Sequence, residues 1–359
     1  MDNPRKHAAW AATGAAAFAL GLGLAAGAEA KDLTIVTWGG AQEKGYKLGY
    51  GETFAKAKGG LNITYTTWNG TIAFIRAQVE TKSITNDAYP LNPWDTVAGC
   101  DEGILEKLDP KELGITDPKD FYDGAIEPCG IASDVWSYLL AWNLEKNPKW
   151  VGDKAPQNVK DMFDLKAYPG RRGIRKRAYG AMENAIMGDG VPNKDVYKVL
   201  ATPEGVKRAF AKLDTIKKQT LFFDNVPQMP QALADGEVDY TIIVNSRYYN
   251  AIVHEGKKFA TNWADQVYSY NMWSIPKGGP KVKLAKEFIA NMAKPENQAI
   301  VANDVAYPPS RKSALKFVKE DVRKNLVTFN FKNELYMDAP FWAERLDSYA
   351  KQFQAWLAQ

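Results

Sequence analysis

Hydrophobic and polar positions alternate between two periods along most of the chain. Residues 33–38 form a β-rich run that ends in Gly39-Gly40, and a helical pattern continues from there to about residue 58. Residues 61–67 alternate as a strand, and residues 71–82 carry Ile72, Ile75 and Val79 at helical spacing. The run 94–98 predicts a third strand. This β-α-β-α-β order predicts an open, largely parallel sheet covered by helices, in which ligands sit outside the carboxyl ends of the strands. Trp38-Gly39-Gly40, the turn Trp68-Asn69-Gly70 and the segment Cys100-Asp101-Glu102 are therefore expected on one rim.

A second unit follows a strand at 135–142. Residues 146–157 are rich in Pro, Lys and Asn and read as a connection, followed by a short helix at 159–165, a strand at 171–175 and a helix at 178–187. Thr202-Pro203-Glu204 opens a long helix to about residue 218, with a Thr cap and Pro at its first position. Residues 238–244 give the clearest strand of this half, which runs into Asn245-Ser246-Arg247 and another helix. A strand at 267–276 carries the chain back toward the first unit. The region 312–359 reads mainly as helix, with Trp342, Leu346, Tyr349, Phe353 and Trp356 spaced for one buried face.

The amino terminus changes the picture of where these units work. Arg5 and Lys6 precede a charge-free, Ala/Gly/Leu-rich stretch at 8–28, and Ala28-Glu29-Ala30 offers the small-x-small pattern cut by signal peptidase. Cleavage after Ala30 would release a periplasmic chain, the alternative being an uncleaved anchor. What remains is long enough for two packed domains. In an oxidising compartment Cys100 and Cys129 are expected to form a disulfide rather than stay as two buried thiols. The net charge of +4 gives no argument for nucleic acid.

The scarcity of histidine bears on chemistry. Of two histidines, His7 leaves with the leader and His254 remains, so neither a Ser/His/Asp set nor a zinc helix has its parts. There is no G-x-S-x-G, P-loop or G-x-G-x-x-G. The reading is of a protein that is no enzyme and carries no cofactor.

Several motifs now fall into a recognisable order: the strand ending in Trp38, Trp94-Asp95-Thr-Val-Ala-Gly-Cys100, Asp235-Gly236-Glu237-Val238 before a strand, Ser274-Ile275-Pro276, and Ala306-Tyr307-Pro308-Pro309. In order and spacing they resemble the extracellular solute-binding proteins of the spermidine/putrescine type. The resemblance implies an α/β, two-lobed periplasmic-binding-protein fold (type II), each lobe a mostly parallel sheet flanked by helices. It also implies a cleft that closes on a small solute, and delivery to a membrane permease driven by an ATPase. The expected lobes are 31–142 plus 271–315, and 143–270 plus 316–359 with the C-terminal helices. A monomer is expected.

Trp38 matches a family position where an aromatic ring packs on the ligand, and Gly39-Gly40 let backbone N–H groups approach an anion closely. The acidic positions depart from the polyamine pattern. The second-lobe segment that carries carboxylates in polyamine binders reads Gly173-Ile-Arg-Lys-Arg-Ala-Tyr179 here, and a further acidic position falls at about Asn271. Val244 lies near the place of a ligand-stacking Trp, with Arg247 just beyond, where a guanidinium can grip a carboxylate through two parallel hydrogen bonds. Arg177, Tyr179, Tyr270 and Tyr307 join the candidates, and Asp101 and Glu102 are placed to meet an amine. Together these residues point to a ligand with a carboxylate and also an amine, of the γ-aminobutyrate kind, ahead of a fully cationic polyamine. A rival reading takes Tyr248 and Tyr249 as phenolate ligands of ferric ion.

Overall fold

The computed structural model describes residues 32–68 and 72–359. The expected leader and its expected cleavage site at Ala30 lie outside the described residues, as do Asn69 and Gly70. Strand β1 (Asp32–Thr37) pairs in parallel with β2 (Asn62–Thr67), Ile35 opposite Tyr65. Between them the chain is helical from Gly40–Tyr46 through a wider π turn, Lys47–Glu52, into Thr53–Ala57. Gly49 lets the helix Pro295–Val305 come this close: a Cβ there would sit 2.4 Å from Val301.

The remaining strands form one mixed sheet: β3 (Tyr89–Leu91), β4 (Ile126–Glu127), β5 (Gly130–Asn143), β6 (Arg172–Arg175), β7 (Thr220–Phe223), β8 (Tyr240–Val244), β9 (Phe259–Thr261), β10 (Val267–Ser274) and β11 (Leu335–Tyr336). Its order is β11-β10-β5-β8-β6-β7, with β3 added to β10, and β4 and β9 to β5. Every residue of β5 is buried. Its first half pairs with β10 and its second half with β8 and β9, all antiparallel, so β5 and β10 run through both halves of the molecule. Parallel pairing holds for β1–β2, β10–β11 and β8–β6–β7.

The expected third strand at 94–98 is a helix, Pro93–Asp101. Asn92 occupies its cap position and Pro93 its first turn, where a missing N–H is no loss. The strand lies one step earlier, at Tyr89–Leu91. Trp94 is fully buried and packs at 4.9 Å on Tyr179, which in turn meets Trp342.

The closing helix, Ala339–Leu357, is capped by Asp338 and buries Trp342, Tyr349, Phe353 and Trp356 on one face, with Leu346 half-buried. It packs on the helices Pro93–Asp101 and Ala178–Gly188. Trp342 donates from its indole to Glu183, a carboxyl that burial pushes up to about 7. Cys100 and Cys129 form a disulfide with Cα atoms 5.6 Å apart, set in an apolar cluster with Val36, Ile75, Tyr89, Leu91 and Leu105. Among the described residues, no helix is long and apolar enough to cross a membrane.

Candidate functional site

The strand ends converge on one cavity. Beyond β1, Trp38 is fixed by its backbone N–H to Gln42 Oε1 (2.8 Å) and by its indole N–H to the Pro90 carbonyl (3.1 Å). Gly39 and Gly40 follow with φ of 70° and 57°, the left-handed region that glycine enters without strain. Asn92 lies just past β3, Arg175 at the end of β6, and Val244 at the end of β8. Trp136 and Tyr138 alternate toward the same space on β5, Asn271 faces it from β10, and Val226 and Tyr307 complete the wall. These residues enclose about 380 Å³ of atom-free space, its mouth included.

Arg247 reaches in from the short helix Asn245–Tyr249 and is 4% exposed. Its Nη2 donates to the Gly39 carbonyl at 2.6 Å, while Nε and Nη1 are buried without a partner among the described residues. A Cβ on Gly40 would stand 3.6 Å from this guanidinium, so the glycine leaves room for the cation. Arg175 donates to the hydroxyls of Tyr138 (3.4 Å) and Tyr179 (3.3 Å) and lies 5.9 Å from the Trp38 ring centre. Burial depresses the Arg247 pKa, and the nearby Arg175 charge adds to that. Among the described residues lining the cavity, these two guanidiniums are the charges, and no carboxylate faces in.

Carboxylates lie one layer back. Asp134 accepts from Tyr46 (2.7 Å), Asn271 (2.6 Å) and the Ser133 hydroxyl, and Tyr46 accepts from Gln42 at 3.2 Å. Asp95 accepts from Asn92 at 3.2 Å. Burial pushes both acids up to about 6, the hydrogen bonds offsetting part of the effect. Asn245 ties the layers together, accepting from Ser137 N–H and donating to the Ala306 carbonyl beside Tyr307.

A pH dependence follows. Asp95, Asp134 and Glu183 hold their protons more tightly folded than unfolded, so the desolvation penalty is small below about pH 4 and complete above about pH 7 for the aspartates and about pH 8 for Glu183. The unliganded protein is expected to melt at higher temperature as pH falls from 7.5 toward 5, each aspartate contributing about 1 kcal/mol over that interval. Melting curves across that range check it. A flat or opposite trend would contradict it, and Asp134→Asn should flatten the slope.

Of the residues expected from the sequence, Trp38, Arg247, Asn271 and Tyr307 meet at this cavity. Gly39 and Gly40 border the adjoining outer opening, with Thr67, Trp68 and residues 225–228. Tyr179 stands one layer behind, and Arg177 is half-buried at the head of the helix Ala178–Gly188 outside the lining. Tyr270 points to the opposite face of β10 from Asn271, its hydroxyl donating to the Asp123 carbonyl. Cys100, Asp101 and Glu102 end a helix rather than a strand, which takes them off the rim. Cys100 is held in the disulfide, Asp101 is exposed, and Glu102 is gripped by Arg76 through two bonds of 2.7 Å. Tyr248 packs edge-on against Trp263 and Tyr249 joins an apolar cluster with Ala299 and Ala302, and neither lines the cavity. Among the described residues, no group of three or more His, Cys, Asp or Glu is placed to hold a metal ion.

Sequence reasoning missed Arg175, Asn92, Trp136 and Tyr138. Arg175 was legible as the last residue of a strand, where the carboxyl-end rule puts ligand contacts. The aromatic pair on β5 needed only the two-residue period, but the facing direction of a fully buried strand has no polar side to mark it.

A two-lobed α/β frame whose strand ends enclose rings and a pair of buried guanidiniums is the architecture of a solute-binding protein. The chain belongs to the bacterial extracellular solute-binding proteins, whose family model matches residues 49–325. It is 35% identical over 344 residues to the gamma-aminobutyric acid-binding protein of Pseudomonas aeruginosa, with 95% of each chain covered. Among solved structures it is similar to the periplasmic binding protein MotA of A. tumefaciens B6 in complex with glucopine. That match has 29% identity and a TM-score of 0.82, and covers 91% of this chain and 99% of the other. It is also similar to a GABA receptor structure (26% identity, TM-score 0.80, 91% and 98% covered).

Proposed function

We propose that this chain is the extracytoplasmic solute-binding component of an ABC importer, and that it carries a small zwitterionic amino acid of the γ-aminobutyrate kind. The observation that carries the reading is the charge of the lining among the described residues: two buried guanidiniums, two Arg247 donors without partners there, and no carboxylate. A carboxylate between Arg175 and Arg247 satisfies those donors and relieves the repulsion between the cations. A polyamine would bring further positive charge to the same place. The relative that binds gamma-aminobutyric acid supports the same ligand class.

On this reading the leader is cleaved after Ala30 and the mature chain works as a monomer in the periplasm. It binds no nucleic acid, returns its ligand chemically unchanged and docks on an inner-membrane permease. The lobes 31–142 plus 271–315 and 143–270 plus 316–359 close on the solute, with β5, β10 and the turn of helix at Lys312–Phe317 as the crossings. Thermal-shift screening of ω-amino acids, organic acids, polyamines and ferric ion tests the function, because a ligand of the folded state raises the melting point by mass action. The ω-amino acids are expected to give the largest rise. A rise confined to polyamines or ferric ion would refute the proposal.

A further inference from the structure

The amine end of such a ligand has its own place in the wall, an inference that rests on the zwitterion reading above. Three neutral amides line the cavity; Gln42 is engaged at both ends, accepting from Trp38 N–H and donating to the Tyr46 hydroxyl, which leaves Asn92 beyond β3 and Asn271 on β10. Each gives its amide N–H to a buried carboxylate: Asn271 Nδ2 to Asp134 Oδ1 at 2.6 Å, and Asn92 Nδ2 to Asp95 Oδ2 at 3.2 Å. An ionised carboxylate only accepts, so each of these bonds dictates which end of the amide faces it. The other end, Oδ1, remains as the acceptor, and no described residue donates to it in either asparagine. The orientation of Asn271 is held from further back, since Asp134 is itself fixed by Tyr46 and Ser133.

We propose that Asn92 and Asn271 form an ammonium subsite, with Asp95 and Asp134 as the positioning residues that turn both amide oxygens toward the ligand. A carboxylate facing the cavity would pair with Arg175 or Arg247 and compete with the ligand's own carboxylate. An amide oxygen backed by a buried carboxylate attracts an ammonium without offering the arginines a full charge. The cavity thereby selects one carboxylate and one ammonium together. A simple acid leaves both amide oxygens desolvated and unpaired, and a diamine meets the guanidiniums.

The test is the ratio of affinities for γ-aminobutyrate and butyrate, which share chain and carboxylate and differ in the ammonium. Titration calorimetry, with butyrate measured by competition, is expected to give a ratio of about 100 or more for the wild-type protein. Asn92→Leu and Asn271→Leu should each lower that ratio about 10-fold or more while butyrate binds as before or tighter. Asp134→Asn, which keeps the shape but frees the amide to turn, should lower it by less. If a leucine variant melts below the assay temperature, Asn92→Ser and Asn271→Ser carry the same measurement. An unchanged ratio, or equal losses for both ligands, would overturn the subsite while leaving the functional reading intact. Wild-type protein that ignores γ-aminobutyrate would instead overturn the functional reading, and the subsite with it.

Discussion

Arg247→Ala is expected to weaken binding of γ-aminobutyrate by about 2–5 kcal/mol, roughly 30- to several-thousand-fold, because it removes a charge-assisted pair and leaves the carboxylate without its partner in a dry cavity. The same change should leave the melting temperature of the unliganded protein nearly unchanged or slightly raised. This guanidinium is buried near the Arg175 charge, with two donors that no described residue pairs, and without a bound anion removing it takes an uncompensated cation out of the folded state. Binding and stability thus move in opposite directions, which separates a ligand anchor from a structural arginine. Arg247→Lys should recover only part of the affinity, since an ammonium cannot supply the planar pair of donors. The hydrogen bond to the Gly39 carbonyl holds the fork in place, so its loss in the lysine variant adds to the deficit. Calorimetry and melting on the three proteins decide the matter, and a destabilised Arg247→Ala variant with unaltered affinity would contradict it.

The second large effect is on stability. Removing the Cys100–Cys129 bridge by Cys100→Ser with Cys129→Ser releases a loop closed across 29 residues, expected to be worth about 3–4 kcal/mol. For a chain of this length that lowers the melting midpoint by about 5 °C. The bridge fastens the end of the helix Pro93–Asp101 to the start of β5, and that helix carries Asp95 behind the cavity. Affinity should therefore fall along with stability, though far less than in Arg247→Ala. Two thiols titrating in the denatured, unreduced protein, or a midpoint unmoved by the double substitution, would contradict the assignment.

How far the sequence foretold the site depended on how each element announces itself. Trp38 and Arg247 were legible because a β-rich run, a glycine or Asn-Ser stop and a helical pattern mark strand ends without any knowledge of packing. Asp101 and Glu102 were misplaced for one local reason. The short apolar run after Asn92-Pro93 fits a strand or a helix equally by period, and the helix-start signal of Pro93 was the deciding one. Arg175 and Arg177 differ by two positions, and only the point where β6 ends separates a lining residue from one at the head of the next helix. The Asn271–Asp134 pair was beyond reach, because the two come together across 137 positions through antiparallel pairing that no local pattern encodes. The mixed sheet itself was hidden for the same reason: β5 and β10 are crossing strands, and direction is a property of the partner.

On the reading proposed above, this cleft recognises a carboxylate held between Arg175 and Arg247. γ-Aminobutyrate and putrescine put that claim most directly, since both carry an ammonium on a short chain and differ in whether the far end is a carboxylate or a second ammonium. Titration calorimetry of both ligands on the wild-type protein near pH 7 should give saturable binding of γ-aminobutyrate and an affinity for putrescine lower by about 100-fold or more. Putrescine binding as tightly as γ-aminobutyrate, or more tightly, would contradict the account.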